Sequence, residues 1–210
     1  MRGLLKLLNL QFKADSPGNV YFIMVPPEKI SHIKVFRLDD LPVLGPNAVT
    51  GQLDGTWDRM KVPFRMHYVY RTIAGRILKK KAWHLTPLNR KRRSHRNSEE
   101  IEKENTEIDR LIGSIQAKGY LSNYELGNRD IDKDWFELNQ RMVPPELIVG
   151  MDRSGRLFQL ANGRHRLAIA QVLGLSEIPA ILSVYHKTSI GNLPTKRRLI
   201  TGDKADFRPF

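Results

Sequence analysis

One segment constrains this chain more than any other: Leu160-Ala161-Asn162-Gly163-Arg164-His165-Arg166-Leu167-Ala168-Ile169-Ala170, followed by Gly174-Leu175 and Ile178-Pro179. It reads as the end of a strand, a glycine turn, and a helix opening on two arginines and a histidine. A helix N-terminus presents unpaired N–H groups and a partial positive charge to an anion. Cationic side chains at the same place make a candidate phosphate clamp of Asn162, Gly163, Arg164, His165 and Arg166.

Around that turn the chain punctuates itself clearly. Asn97 with Glu100 three residues on is a capping box, and it predicts a helix that Gly119 ends. Ile101, Ile108, Leu111, Ile112 and Ile115 fall on one face of that helix, the pattern of a core stripe. Residues 146–151 and 156–160 read as two strands joined by Asp152-Arg153-Ser154-Gly155, a hairpin signal. The helix from Gly163 to Leu173 stops at Gly174, with Leu175 placed for a Schellman contact. A last strand runs from Ile178 to Tyr185, opening on Pro179 as edge or first residues do. Upstream, Val20–Val25 is a strand ended by Pro26-Pro27, and 32–36 is a second short one. Residues 51–58 read as a turn-rich loop, 63–73 as a helix, and 123–141 as a polar insertion with a short helix at 134–139.

Charge narrows the partners. The chain of 210 residues carries a net charge of +13, and nine of its lysines and arginines crowd into 75–96 without one acid. An acidic run from Glu99 to Asp109 follows directly. The basic stretch reads as a linker: either a solvated loop neutralised by the acidic helix, or a contact for nucleic acid or an anionic membrane surface. No run approaches the roughly 18–20 apolar residues that a membrane span needs. Residues 1–10 read as an amphipathic helix rather than a signal peptide. With no cysteine there is no disulfide, thiolate metal site or cysteine nucleophile, and a cytoplasmic location is the expectation. The histidines show no metal-ligand spacing, so no metal site is expected.

The order of these parts resembles the ParB/sulfiredoxin superfamily. Ile112-Gly113-Ser114-Ile115-Gln116-Ala117-Lys118-Gly119-Tyr120-Leu121 is similar to that superfamily's helix end, and residues 147–184 repeat its hairpin, phosphate turn, Gly-Leu helix end and Ile-Pro strand in order. The resemblance covers about 97–186. It implies an α+β fold, a small mixed sheet with flanking helices, with residues 97–190 as the core. Residues 1–96 then form an irregular extension that contributes a strand and the basic linker, and 191–210 a basic tail. Gly163-Arg164-His165-Arg166 is similar to the Gly-Cys-His-Arg turn of sulfiredoxins and the Gly-Glu-Arg-Arg turn of partition proteins. Arg164 stands where sulfiredoxins carry their catalytic cysteine, which excludes sulfinic acid repair. Only 24 residues follow His186, too few for the helix-turn-helix reader of partition proteins.

What the resemblance leaves is a nucleotide site, for ATP, ADP or CTP with Mg²⁺, in a phosphotransferase or nucleotidase acting on a small hydroxyl compound. The alternative is a DNA- or RNA-associated module using residues 76–96. Phosphoryl transfer needs a carboxylate to orient or deprotonate the acceptor. Asp54 and Asp58, beside Trp57, are the leading candidates and Glu28 the next, although turn hydrogen bonds also account for both aspartates. His186 is the candidate to close the pocket from the end of the last strand. Glu125, Asp152, Arg153 and Arg156 read as surface residues.

Overall fold

The computed structural model describes residues 12–14, 20–35, 51–122, 125–126 and 146–200. The expected helices at 1–10 and 134–139, and the tail beyond 200, lie outside these residues. Nine strands form one mixed sheet: β1 (Phe12–Ala14), β2 (Val20–Val25), β3 (Ile30–Lys34), β4 (Gly51–Gly55), β5 (Lys61–Pro63), β6 (Ile148–Met151), β7 (Leu157–Ala161), β8 (Ile178–His186) and β9 (Arg197–Ile200). Four α-helices accompany it among the described residues: α1 (Tyr68–Lys79), α2 (Pro87–Arg92), α3 (Ser98–Lys118) and α4 (Arg164–Leu173). The class is α+β.

Strand β8 is the axis of the sheet, buried along its whole length. On one side it runs parallel to β6. On the other its first half pairs with β2, which also takes β9, and its last residues pair with β4, which takes β1. Beyond β6 the order continues through β7 and β3 to β5 at the edge. Pro179 is thus in a central strand rather than an edge one. Its missing N–H costs nothing, because pairing with β6 begins only at Ile181.

The helices pack on the sheet through Val69 and Ile73 of α1, Leu88 of α2, Ile108, Ile112 and Ile115 of α3, and Leu167 to Ala170 of α4. These meet Ile23, Ile33, Val149, Met151, Leu157 and Leu182 in one core. The capping box is formed, with Glu100 N–H donating to Asn97 Oδ1 at 2.8 Å and Asn97 N–H to Glu100 Oε2 at 3.2 Å. The end of α4 also follows the local signal. Gly174 sits at φ 68° and Leu175 N–H returns to the carbonyl of Ala170.

Three expectations are corrected. Residues 51–55 form a strand, because the parallel ladder to Val184–His186 and the burial of Leu53 outweigh the turn-prone glycines. The helix expected over 63–73 begins only at Tyr68. Residues 61–63 pair with β3, and His67 caps the helix by accepting from Val69 N–H at 3.3 Å. The basic stretch is no linker. Thr86 Oγ1 accepts from Asn89 N–H at 3.3 Å, Pro87 opens α2, and Leu88 N–H donates to the buried Thr72 Oγ1 at 3.0 Å, tying α2 to α1.

A cationic pocket at the start of helix α4

Asn162 (φ 44°) and Gly163 (φ 63°) are consecutive left-handed residues, and together they swing the chain from β7 into α4. A Cβ on Gly163 would lie 2.9 Å from Leu147 Cβ and 3.0 Å from Leu147 Cα. The glycine therefore serves the turn and its close approach to Leu147. The cap position of the helix it opens is Gly163 itself, which has no side chain to spend on the first-turn N–H groups.

Arg164 and His165 stand on the wall of a pocket of about 460 Å³. The opposite wall comes from the stretch expected to be a linker: Lys91 and Arg92 of α2, then His95 and Arg96. Helix α3 closes a third side with Glu104, Glu107, Ile108 and Leu111, one face at helical spacing. Tyr68 and Val69 of α1 and Leu88 of α2 supply apolar lining. Four permanent cations thus face two carboxylates. Arg92 is buried beside Glu104, its Nε 2.8 Å from Oε2, and Arg96 pairs with the other oxygen of the same carboxylate. Lys91 Nζ lies 4.1 Å above the Tyr68 ring. Arg164 is exposed and makes no ion pair among the described residues.

His165 is neutral in this setting. Burial, helped by Arg92, Arg164 and His67, pushes its pKa down to about 4. His67 falls to about 4 as well, through burial and then Arg164 and Lys91. Nε2 of His165 is enclosed and meets no hydrogen-bond partner among the described residues. Asn105 Nδ2, on the side chain whose Oδ1 accepts from Arg92, is in the same condition. Buried polar atoms without partners are uncommon in folded proteins.

Both histidines bind protons more readily unfolded than folded, so stability rises with pH between about 4 and 6.5 and is lost on acidification through that window. After discounting for solvent access the loss is about 1–2 kcal/mol per histidine. Thermal melts across this range should show it, and His165→Gln should flatten the profile.

Arg166 points elsewhere. Its guanidinium lies 3.4 Å from Glu146 Oε2, donates to the Leu121 carbonyl and stacks on Tyr120 with 4.2 Å to the ring centroid. It pins the α4 turn to the segment after α3 and is absent from the pocket lining. The side-chain contacts thus take it out of the clamp that the sequence suggested.

The register also separates Asp54, Asp58 and His186 from the turn. His186 lies level with the residues just after Met151, at the hairpin end of the sheet. Gly163 lies past the opposite end of β7, whose span from Leu157 to Ala161 is roughly 13 Å. His186 Nε2 is 3.2 Å from the Gly55 carbonyl, and Nδ1 accepts from Thr188 N–H at 3.3 Å. Asp54 accepts from Gly55 N–H at 2.7 Å and pairs with Lys187. Asp58 is buried and takes three bonds from Arg153: the backbone N–H at 3.0 Å, Nε at 2.8 Å and Nη2 at 2.6 Å. Burial opposes ionisation of Asp58, but these bonds prevail and hold its pKa below the usual carboxylate value. Asp152, expected at the surface, is buried as well; it pairs with Lys61 at 2.7 Å and caps its own hairpin. Glu28 is exposed in the turn between β2 and β3, held to the later part of α4 by Gln171. None of these carboxylates reaches the pocket.

Asp58→Ala should cost about 2–3 kcal/mol in urea denaturation, the loss of a largely buried, multiply bonded ion pair. It should leave ligand binding at the α4 pocket unchanged.

The sequence places Arg164 and His165 in the site but does not bring Tyr68, Lys91, Arg92, His95, Arg96, Glu104 or Glu107 to it. The Thr86-Pro87 cap was the available signal for α2, but nothing local announces that α2 faces α4. Among the described residues no group of three or more His, Asp or Glu side chains is placed to hold a metal ion, and no helix is long and apolar enough to cross a membrane. No protein-family model, curated protein or solved structure matches the chain.

Proposed function

We propose that this protein binds a nucleotide, with the phosphates held between Arg164 at the start of α4 and Lys91, Arg92 and Arg96 on and after α2. The observation that carries the reading is the convergence of these two distant basic segments on one pocket. Its volume lies in the range of small-molecule sites, about 300–1,000 Å³. The first turn of α4, with Gly163 at its cap position, adds N–H donors, and the neutral His165 offers a ring nitrogen with no hydrogen-bond partner among the described residues. Tyr68 and Leu111 supply apolar surface beside the cations, as a base and sugar require. The likeness of Gly163-Arg164-His165-Arg166 to a ParB/sulfiredoxin phosphate turn supports the same reading.

Mg²⁺ fits as the nucleotide's own counter-ion, since it is commonly held by one or two carboxylates together with substrate phosphates. Glu107 is the pocket carboxylate that makes no ion pair among the described residues. Transfer to a small hydroxyl compound would need a base in this same pocket, which directs that question to Glu107 rather than to Asp54 or Asp58.

A thermal-shift panel of ATP, ADP and CTP, with and without Mg²⁺, tests the reading. At about 100 times Kd a ligand contributes about 2.7 kcal/mol, or roughly 5–10 °C for a chain of this size. No shift with any nucleotide would refute it.

One observation favours a second reading. Lys79, Lys80, Lys81, Arg90 and Arg93 are all exposed. They suit a polyanion such as DNA or RNA, with affinity falling steeply with salt. Replacing these five by glutamine should abolish polynucleotide binding; unchanged binding would remove this reading.

A further inference from the structure

The binding pocket already contains an anion of its own. Glu104 projects from α3 with its side chain only 26% exposed, and it serves two arginines at once. Arg96 pairs with one oxygen. Arg92 Nε approaches the other to 2.8 Å but without the alignment of a hydrogen bond, which leaves Oε2 enclosed and without a hydrogen-bond partner among the described residues. Arg92 is itself only 8% exposed, and burial together with Arg96 disfavours its charged form. Two crowded guanidinium groups in such a place require a counter-anion. The carboxylate supplies it imperfectly, with one charge and one well-used oxygen.

We infer that Glu104 is a tethered placeholder for the ligand phosphate, occupying Arg92 and Arg96 until an anion of higher charge displaces it. This inference rests on the pocket being an anion site and adds its selectivity. A monoanion offers the arginines no more than Glu104 already does, and Glu104 has the advantage of being attached. A phosphoryl group with two or more negative charges and three oxygens offers more charge and better bond directions. The site therefore selects phosphoryl-bearing ligands over monoanions of any kind, and among them those of higher charge, such as pyrophosphates, over phosphate monoesters. Displaced, Glu104 lies on the same helix face as Glu107, one turn away, where the two carboxylates repel.

The experiment is calorimetric titration of wild type, Glu104→Gln and Glu102→Gln with pyrophosphate, ATP, AMP and acetate, with a thermal melt of each variant. Glu102 is on the same helix, exposed and outside the pocket. Wild type should bind ATP and pyrophosphate more tightly than AMP, and acetate not measurably. Glu104→Gln should tighten pyrophosphate about tenfold, the effect of removing one unit charge near the ligand in a partly solvated site. It should also narrow the gap between ATP and AMP, and Glu102→Gln should do neither. Unchanged or weaker pyrophosphate binding by a folded Glu104→Gln would overturn the placeholder while leaving nucleotide binding standing. Binding of pyrophosphate but not ATP would sustain the placeholder and defeat the nucleotide reading. Absence of binding by wild type and Glu104→Gln alike would end both. Should Glu104→Gln melt far below wild type, Glu104→Asp keeps the charge on a shorter arm, and it should also tighten pyrophosphate; failure to do so overturns the inference.

Discussion

Gly163→Val should be the most damaging single substitution around the pocket, lowering the free energy of unfolding by about 4 kcal/mol, with Gly163→Ala costing about 2–3. Two separate penalties combine. Residue 163 has φ 63°, a left-handed conformation that costs any L side chain, and a β-branched one most. The new Cβ would also fall 3.0 Å from the Cα of Leu147, which is backbone and cannot rotate away. Leu147 is fully buried, and its carbonyl accepts from Ile181 N–H at 2.8 Å, so displacing it disturbs the start of the β6–β8 ladder. Urea denaturation followed by far-UV circular dichroism measures the effect. A cost below about 1 kcal/mol would contradict the left-handed turn and its contact with Leu147.

Arg166→Ala should cost about 3–4 kcal/mol, the range for removing one partner of a buried, hydrogen-bonded charge pair. The side chains of Arg166 and Glu146 are 13% and 4% exposed, so solvent cannot take over the lost interaction. The cation–π stack on Tyr120 and the bond to the Leu121 carbonyl go as well. Arg166→Lys should recover only part of the loss, because an ammonium cannot stack and fork together as a guanidinium does. The same variant separates fixing the turn from holding ligand. Well below its melting temperature, Arg166→Ala should bind nucleotide as wild type does. A selective loss of nucleotide affinity with stability unchanged would return Arg166 to the clamp.

Local signals in the sequence were legible where one short stretch decides the outcome. Asn97 with Glu100, Gly119, Gly174-Leu175 and the Asp152–Gly155 hairpin each satisfy backbone groups within a few residues, and each appears where read. The turn at Asn162-Gly163 belongs with them. What could not be read locally is which end of a strand a residue occupies in the assembled sheet. Asp54, Asp58 and His186 have suitable chemistry, but parallel pairing of β8 with β4 and β6 carries them to the hairpin end. Gly51–Gly55 looked like a loop because its only apolar side chain is Leu53, and a neighbouring strand rather than propensity makes it β.

The basic stretch shows the same limit from the other side. Its charge invited a linker reading, yet part of it folds as a helix that buries Arg92, at a desolvation cost. The structure meets that cost with Glu104 and Asn105 from the helix that follows. The acidic run after the basic one thus neutralises it in part: Arg76 pairs with Asp109, and Arg92 and Arg96 with Glu104. The convergence of 91–96 with 164–165 depends on α1, α2 and α4 packing together through Thr72, Leu88, Val69 and Leu167, contacts distant in sequence.

The most direct measurement of the central claim is a calorimetric titration of ATP into wild type and Arg164→Ala, with and without Mg²⁺. Arg164 is exposed and unpaired by any carboxylate among the described residues, so its removal should leave stability nearly unchanged. The account predicts a saturable one-site isotherm for wild type and an affinity roughly 10–100-fold lower in the variant, the worth of one charge-assisted phosphate contact. Equal affinity in the two proteins, or no binding by wild type, would contradict it.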